Sequence, residues 1–260
     1  MEIEKLQQQV VKMNCALELN RKIAGVKFLF NLEEFESAAA RQVKNKMAYC
    51  VMVKQAMAGD ALKATGEDMA CMGGARATGL IEHDNYSKSG QNGKVLGLYC
   101  DMATAKNTVD GMSFCDHRAY GIMVKPLDEW EEEPDVVIVV TNAYNSMRIV
   151  QAYSYYYGIQ TRFKMTGNQA ICSESTAYPY LSNDINVSLL CIETRHKAGW
   201  KDDELAVAFP FNRFEKISEG LMETINIMDN NEKKAVIEKK IQANHIENFA
   251  IKYNYNYYKR

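Results

Sequence analysis

Two sixteen-residue segments, about a hundred residues apart, constrain the possible fold more than any other feature of the chain. Residues 65–80 read TGEDMACMGGARATGL, and residues 166–181 read TGNQAICSESTAYPYL. Aligned without a gap, they share the Thr-Gly start, a cysteine (Cys71 or Cys172) and the final leucine. A threonine with Asp or Gln three residues later is typical of a helix start. We therefore expect each segment to begin a helix that carries its cysteine.

The same order of elements surrounds both segments, which predicts an internal duplication. In the first copy the order is a strand (26–30), a long helix (34–58), the cysteine segment (65–80), a strand-like LGLYC (96–100) and an apolar run into proline (121–127). In the second copy the equivalent elements are the strand VVIVV (136–140), a helix (146–157), the cysteine segment (166–181), VSLLC (187–191) and AVAFPF (206–211). The all-apolar strand VVIVV is typical of a strand that is covered on both faces.

The predicted fold class is α/β, with α+β as the alternative, built from two diverged copies of one α/β unit related by a pseudo-twofold axis. The predicted parts are an N-terminal helix (about 2–20) with the first half (1–127), an acidic linker (128–135), a second half (136–211), and C-terminal helices with a tail (212–260). The linker prediction depends on six acidic residues within eight positions. We expect the two halves to form one compact domain.

Composition narrows the class of protein. The 260 residues are 47% hydrophobic and 25% charged, with a formal net charge of -2, which gives no electrostatic reason to expect nucleic acid or a membrane as partner. The N-terminus lacks the features of a secretory signal, and no apolar run is long enough to span a bilayer. Seven irregularly spaced cysteines then indicate free thiols or metal ligands in a reducing, cytoplasmic compartment.

The cysteines are the main candidates for chemistry, because no compact metal or nucleophile motif is present. A duplicated fold brings equivalent elements together, so Cys71 and Cys172 are expected to approach each other, with Cys50 and Cys191 nearby. Four soft thiolates suit an iron–sulfur cluster of the 4Fe-4S kind, or zinc if the geometry is tetrahedral. The alternative is that these cysteines simply pack in the core, as free cysteine commonly does.

Polar residues outside the cysteines form a second candidate group. Arg195 follows Cys191 in a predicted loop, where its guanidinium could hold a carboxylate or phosphate. Asn142 and Ser146 belong to the predicted helix-start loop 141–146, which we expect to face the same small polar or anionic ligand. Asp202, Asp203 and Glu204 form an acidic turn that could hold a hard cation or be solvated. The four histidines lie far apart and form no ligand pair at helical spacing, at positions 83, 117, 196 and 245.

Several long stretches resemble a bacterial and archaeal family known as domain of unknown function 169, sometimes called the archaeal cysteine-rich family. The similar stretches cover residues 49–80, 134–158, 170–191 and 195–211. By position, the resemblance places the family's cysteines on Cys50, Cys71, Cys172 and Cys191, and its Arg-x-x-Ala-Gly pattern on Arg195. Met72 and Thr141-Asn142 depart from the family's usual Cys-Pro-Gly-Gly and Gly-Asn-Pro. The resemblance implies a fold and a site but leaves the reaction open.

These observations predict a cytoplasmic redox-type protein of anaerobic metabolism. An iron–sulfur cluster would be bound between two pseudo-symmetric halves by Cys50, Cys71, Cys172 and Cys191, and the protein would act as an enzyme or an electron-transfer accessory. Its partners would be a small-molecule ligand or a redox partner protein, in a monomer or an oligomer. The alternatives are a non-catalytic small-molecule-binding module whose cysteines pack, and a protein that binds a haem-like tetrapyrrole in the cleft.

Overall fold

The computed structural model describes residues 3–116, 118–247 and 249–253, and within them the chain forms one seven-stranded mixed sheet with helices on both faces. The strands are β1 (Ala24–Leu29), β2 (Arg41–Gln42), β3 (Leu62–Thr65), β4 (Gly121–Pro126), β5 (Val136–Asn142), β6 (Asn186–Ser188) and β7 (Glu204–Pro210). Their order across the sheet is β2-β3-β4-β1-β5-β7-β6. The mixed α/β class that was predicted is therefore confirmed.

Twelve α-helices are found in the described part of the chain. They are α1 (Ile3–Leu17), α2 (Leu32–Ser37), α3 (Tyr49–Ala58), α4 (Met72–Ala77), α5 (Asn85–Lys88), α6 (Gln91–Val95), α7 (Met102–Gly111), α8 (Ala143–Tyr157), α9 (Tyr178–Ser182), α10 (Ile192–Ala198), α11 (Phe214–Met228) and α12 (Asn231–Ala243). A π-helix (Ala170–Ala177) precedes α9, and short 3-10 turns occupy Gly66–Asp68, Leu127–Glu129 and Phe211–Arg213. None of the helices described has the length and apolar content needed to cross a membrane.

The central strands β1 and β5 lie side by side and antiparallel, with Val26 opposite Val136. Alternate residues of β5 enter two separate cores, because successive side chains of a strand point to opposite faces. Ile138 lies in the core beneath α3, α4 and the π-helix, whereas Val137 and Val139 lie in the core beneath α1, α8 and α11. The prediction that this strand is covered on both faces is therefore confirmed.

The two Thr-Gly segments do not begin their helices at the threonine, because the helices start at Met72, just after Cys71, and at Ala170. Two further predicted elements are wrong. The helix predicted over residues 34–58 is divided, because residues 41–42 pair with β3 at the edge of the sheet and a new helix begins at Tyr49. Residues 96–100 form a turn instead of a strand. Gly97 has a φ of 74°, in the left-handed region that favours glycine, and Asp101 then caps α7 by accepting the N–H of Thr104 at 2.7 Å.

The acidic run 128–135 connects β4 to β5, and parts of it are buried. Trp130 is 1% exposed, and the carboxylate of Asp135 accepts the N–H of Phe28 at 2.7 Å. Burial raises the pKa of Asp135. The run is therefore packed against β1, while its remaining acids face solvent. His117 and the last seven residues of the tail lie outside the described part of the chain.

Gly220 allows α11 to cross α8 closely, and this contact yields a stability prediction. A Cβ atom at position 220 would lie 2.5 Å from the carbonyl oxygen of Ala152. We expect Gly220→Ala to lower the free energy of unfolding by about 2 kcal/mol, because overpacking forces the helices apart. Urea denaturation of the two proteins measures this difference. The matched control is Gly111→Ala, where a Cβ meets nothing within 4 Å. An equal loss in both variants would contradict the close-crossing argument.

Candidate cysteine site

Four cysteines that are far apart in sequence line one small cavity on the α3 side of the sheet. Cys50, Cys71, Cys172 and Cys191 surround a space of about 70 Å³. Cys172 and Cys191 are 9% and 8% exposed, and the other two are partly buried. The structure thus brings together the four cysteines selected from the sequence, which below are called the cysteine site.

The contact between α3 and α10 places Cys50 beside Cys191. Cys50 is the second residue of α3, and Cys191 is the residue that caps α10. One turn along α3, Lys54 donates to the carbonyl oxygens of Ala198 and Gly199, which terminate α10. The Cys191 sulfur accepts the N–H of Thr194 at 3.4 Å and lies 3.0 Å from its hydroxyl. Both thiols therefore lie at the N-terminal ends of helices.

Gly74 keeps the space between Cys71 and Cys172 open. Cys71 caps α4, and Gly74 lies one turn later on the face toward the π-helix. A Cβ atom at position 74 would lie 3.9 Å from the Cβ atoms of both cysteines and 3.5 Å from the Cβ of Tyr49. The three elements therefore meet around this glycine.

The π-helix holds Cys172 in place through buried polar contacts on both sides. Next to the cysteine, Ser173 donates its hydroxyl proton to the carbonyl oxygen of Ser113 at 2.8 Å. On the other side, the hydroxyls of Thr176 and Tyr49 lie 3.0 Å apart, which connects the π-helix to α3. The Thr176 hydroxyl also donates to the carbonyl of Ile171, five residues earlier. Cys172 is therefore set in a rigidly bonded segment.

Glu174, in the middle of the same helix, anchors it to the preceding loop and to β6. One carboxylate oxygen accepts both the N–H and the hydroxyl of Thr166, at 2.6 and 3.1 Å. The other accepts the hydroxyl of Ser188 in β6, while Asn186 donates to the Glu174 carbonyl at 2.8 Å. Glu174 is 3% exposed. This buried carboxylate therefore joins the loop before the π-helix to the edge of the sheet.

Two thiols of the cysteine site have raised pKa values. Burial, together with the neighbouring Cys191 and Cys71, raises the pKa of Cys50 to about 11. Burial also raises the pKa of Cys172 well above its usual value, as do Cys71, Cys191 and Cys50. Cys50 and Cys172 therefore keep their protons at neutral pH in the metal-free protein, and a bound cation would release them.

The site surrounds a space instead of converging on one point. Among the residues described, no three His, Cys, Asp or Glu side chains are arranged to hold a metal ion as they stand. A tetrahedral zinc site with Zn–S bonds of about 2.3 Å requires sulfurs about 3.8 Å apart. A multi-iron cluster carries its thiolates on separate irons and therefore accepts a wider ring of sulfurs. The donor set, four thiols and no imidazole, fits a thiophilic group of that kind.

The other three cysteines have different surroundings. Cys15 lies in the core on the opposite face of the sheet. Cys100 is exposed beside Asp101. Cys115 is 3% exposed in the same core as the cysteine site, where burial raises its pKa to about 12. It does not line the cavity, and so it provides a buried thiol for comparison.

The second group of predicted ligand residues makes contacts within the protein. Arg195 lies in α10 and not in the predicted loop. It donates to the carbonyl oxygens of Leu189, Lys201 and Glu204 on either side of that helix. Asn142 caps α8 by accepting the N–H of Asn145 at 2.9 Å, and Ser146 donates to the Asn142 carbonyl at 3.0 Å. Ligand binding by Arg195, Asn142 and Ser146 stays a prediction.

One residue of the acidic turn 202–204 also makes its contacts within the protein. Asp202 and Asp203 are exposed. Glu204 is paired with Arg21 at 2.7 Å and accepts the N–H of Lys201 at 2.6 Å. The carboxylate of Glu204 therefore fixes the turn that precedes β7.

Sequence reasoning missed Glu174, Thr194 and Gly74 as residues that shape the site. Glu174 stands two positions after Cys172 inside an otherwise small and apolar segment, and a lone acid among residues of that kind signals a buried, bonded carboxylate. Thr194 stands three residues after Cys191, at the spacing of a capped helix start. Gly74 belongs to a glycine pair shortly after Cys71, and a glycine at such a position indicates close approach of neighbouring elements.

Comparison with known proteins gives a family and a relative of unknown activity. An uncharacterized protein of Methanocaldococcus jannaschii, MJ0308, is 28% identical over 225 residues, which cover 85% of this chain and 95% of the relative. No solved structure matches the chain significantly. The profile of the domain of unknown function 169, described as uncharacterised ArCR, matches residues 12–220. The cysteine site lies within that match, and the chain belongs to this family.

Proposed function

We propose that the protein binds an iron–sulfur cluster through Cys50, Cys71, Cys172 and Cys191. The observation that carries this proposal is the cavity itself, which is lined by four thiols from four separate elements. Three of those thiols stand at or next to helix N-termini, where the helix dipole favours negative charge. When bound, the cluster would supply one-electron redox chemistry, and the protein would serve as a redox enzyme or an electron-transfer accessory.

Zinc fits the same residues less well. A single ion would require all four sulfurs to move toward one point, because no such point exists among the described side chains. The bonds that hold Cys172 and Cys191, through Ser173 and Thr194, oppose that movement. A cluster of several irons binds each thiolate through a different iron, so its four sulfurs do not have to meet at one point. The cavity lined by four thiols therefore favours the cluster.

We also propose that the cysteine site joins two diverged copies of one unit. The strand order supports this, since β1-β4-β3 and β5-β7-β6 extend outward from a central antiparallel pair. Among other differences between the copies, β3 precedes the segment of Cys71, whereas β6 follows the segment of Cys172. Seven free cysteines favour a reducing compartment such as the cytoplasm.

Anaerobic purification followed by iron and sulfide analysis tests the cluster. We expect about four irons and four sulfides per chain, as in a 4Fe-4S centre, with the broad visible absorption of iron bound to thiolate. The spectrum distinguishes the alternatives in one measurement. Zinc without colour, the sharp intense band of a tetrapyrrole, or a colourless protein without iron after reconstitution would each refute the proposal.

A further inference from the structure

A second, larger cavity opens beside the cysteine site. It has a volume of about 510 Å³ and lies between α4, the segment 83–114 and the start of α10. It shares Cys71, Gln169 and Cys191 with the cysteine cavity, so the two spaces are neighbours. Below it is called the Arg76 cleft. Its volume is within the range of sites for small organic molecules.

One wall of the Arg76 cleft is apolar and aromatic. The ring of Phe114 stacks on that of His83, with the centroids 3.9 Å apart. Burial lowers the pKa of His83, and nearby Lys88 and Arg76 lower it further, so the imidazole is neutral at pH 7 and adds no charge to this wall. Tyr99 and Leu98 complete the wall. These groups suit a flat apolar body.

The polar end of the cleft has bonding capacity that the protein leaves unused. Arg76 donates one guanidinium N–H to Asp84 at 2.9 Å, but its buried Nε has no acceptor among the described residues. The amide oxygen of Gln169 is likewise buried without a donor. Buried polar atoms are normally bonded, so each such atom calls for an explanation. Because both atoms are closed to solvent as the side chains stand, a ligand with an acidic group and a neighbouring N–H or O–H would satisfy them once the two side chains turn toward the cleft.

Gln169 also has a strained backbone. Its φ is 52°, in the left-handed region, which costs a non-glycine residue about 1 kcal/mol. The residue immediately precedes the π-helix and lines both cavities. Strain of this sort is retained where the surroundings need the side chain in one place. Here it places the amide at the junction of the cleft and the cysteine site.

We propose that the Arg76 cleft binds a small organic anion with an aromatic body. The acidic group pairs with the guanidinium of Arg76, which is the charge-assisted contact that fixes orientation. The ring lies against Phe114 and Tyr99, and a hydrogen-bond donor of the ligand meets Gln169 beside the cysteines. The Lys197–Glu193 pair and the Arg76–Asp84 pair each carry no net charge, so the contact depends on the guanidinium N–H groups of Arg76 that Asp84 leaves unused. The binding residues lie outside the cysteine set, so this inference does not depend on the cluster.

Calorimetric titration with anilinonaphthalene sulfonate, an aromatic anion, tests the cleft. We expect one molecule to bind per chain, and Arg76→Met to weaken binding about tenfold or more. The matched control is Arg118→Met, because Arg118 is an exposed arginine paired with Glu82 outside the cleft. Leu98→Asp serves as a second variant. Leu98 is 50% exposed, so the change places a repelling charge on the wall without disturbing the core.

The titration separates this inference from the cluster. Cys172 lines the cysteine cavity but not the cleft, so Cys172→Ser is expected to bind the probe within about twofold of the original protein. Retained binding in that variant supports a cleft that works without the cluster. Absence of saturable binding, several equivalent sites, or equal losses in Arg76→Met and Arg118→Met would overturn the inference.

Discussion

Replacement of Cys172 by serine is expected to remove the iron–sulfur cluster. A serine hydroxyl is a hard ligand with a far higher pKa than a thiol, so it does not replace a thiolate on iron. Iron and sulfide in anaerobically purified Cys172→Ser should fall to below about a tenth of the original content, because the cluster loses one of its four thiolate ligands. Cys50→Ser, Cys71→Ser and Cys191→Ser should behave in the same way.

Cys115→Ser is the control that distinguishes ligation from packing. Cys115 and Cys172 are both buried in one core, at 3% and 9% exposure, and each substitution replaces one sulfur atom by oxygen. If the cysteines only pack, the two variants should lose similar stability and neither should change the iron content. If Cys172 binds the cluster, Cys172→Ser alone should lose iron. Iron retained in Cys172→Ser, or lost equally from Cys115→Ser, would exclude Cys172 as a ligand.

Binding of the iron–sulfur cluster should also raise the stability of the folded protein. The thiols of Cys50 and Cys172 have raised pKa values in the metal-free protein, so these two thiols stay protonated until a cation displaces their protons. Any ligand that binds the folded state alone stabilises it by mass action. The thermal midpoint of the original protein should therefore rise on reconstitution, and that of Cys172→Ser should not.

The elements with a strong local pattern were predictable from the sequence. Val136 to Val140 is β-branched and apolar throughout, and it forms the centre of β5. Asn142 caps the helix that follows, where a helix start had been predicted. The grouping of the four cysteines was predicted from the order of elements along the chain, because no local spacing connects them.

The errors arose where contacts distant in sequence decide the local structure. Residues 34–58 have helical periodicity, but pairing of residues 41–42 with β3 interrupts it, and tertiary contacts override propensity in such cases. The π-helix has the sequence of an ordinary helix start, and its extra residue per turn depends on bonds to Ser113 and β6. The Arg76 cleft is built largely from the segment 83–114, for which no repeat offered a guide.

Replacement of Glu174 by alanine is expected to destabilise the fold and the cysteine site together. The change would leave the N–H of Thr166 and the hydroxyl of Ser188 without their acceptor in a buried region. Hydrogen bonds to a charged group contribute about 1.5–3 kcal/mol each, and an unsatisfied buried donor costs about as much. Because these bonds share one acceptor and do not add fully, we expect a loss of about 3 kcal/mol in unfolding free energy, measured by urea denaturation.

Ser175→Ala provides the matched control for Glu174→Ala, because both changes truncate a buried polar side chain of the same π-helix. The Ser175 hydroxyl is buried and has no partner among the described residues, so its removal relieves a desolvated group and should leave stability equal or higher. Glu174→Gln should lie between the two, since an amide keeps one acceptor oxygen. If Glu174→Ala lost the cluster while Ser175→Ala kept it, the Glu174 carboxylate would be identified as the group that positions Cys172. Equal stability of all three variants would show instead that the bonds of Glu174 are replaced by water.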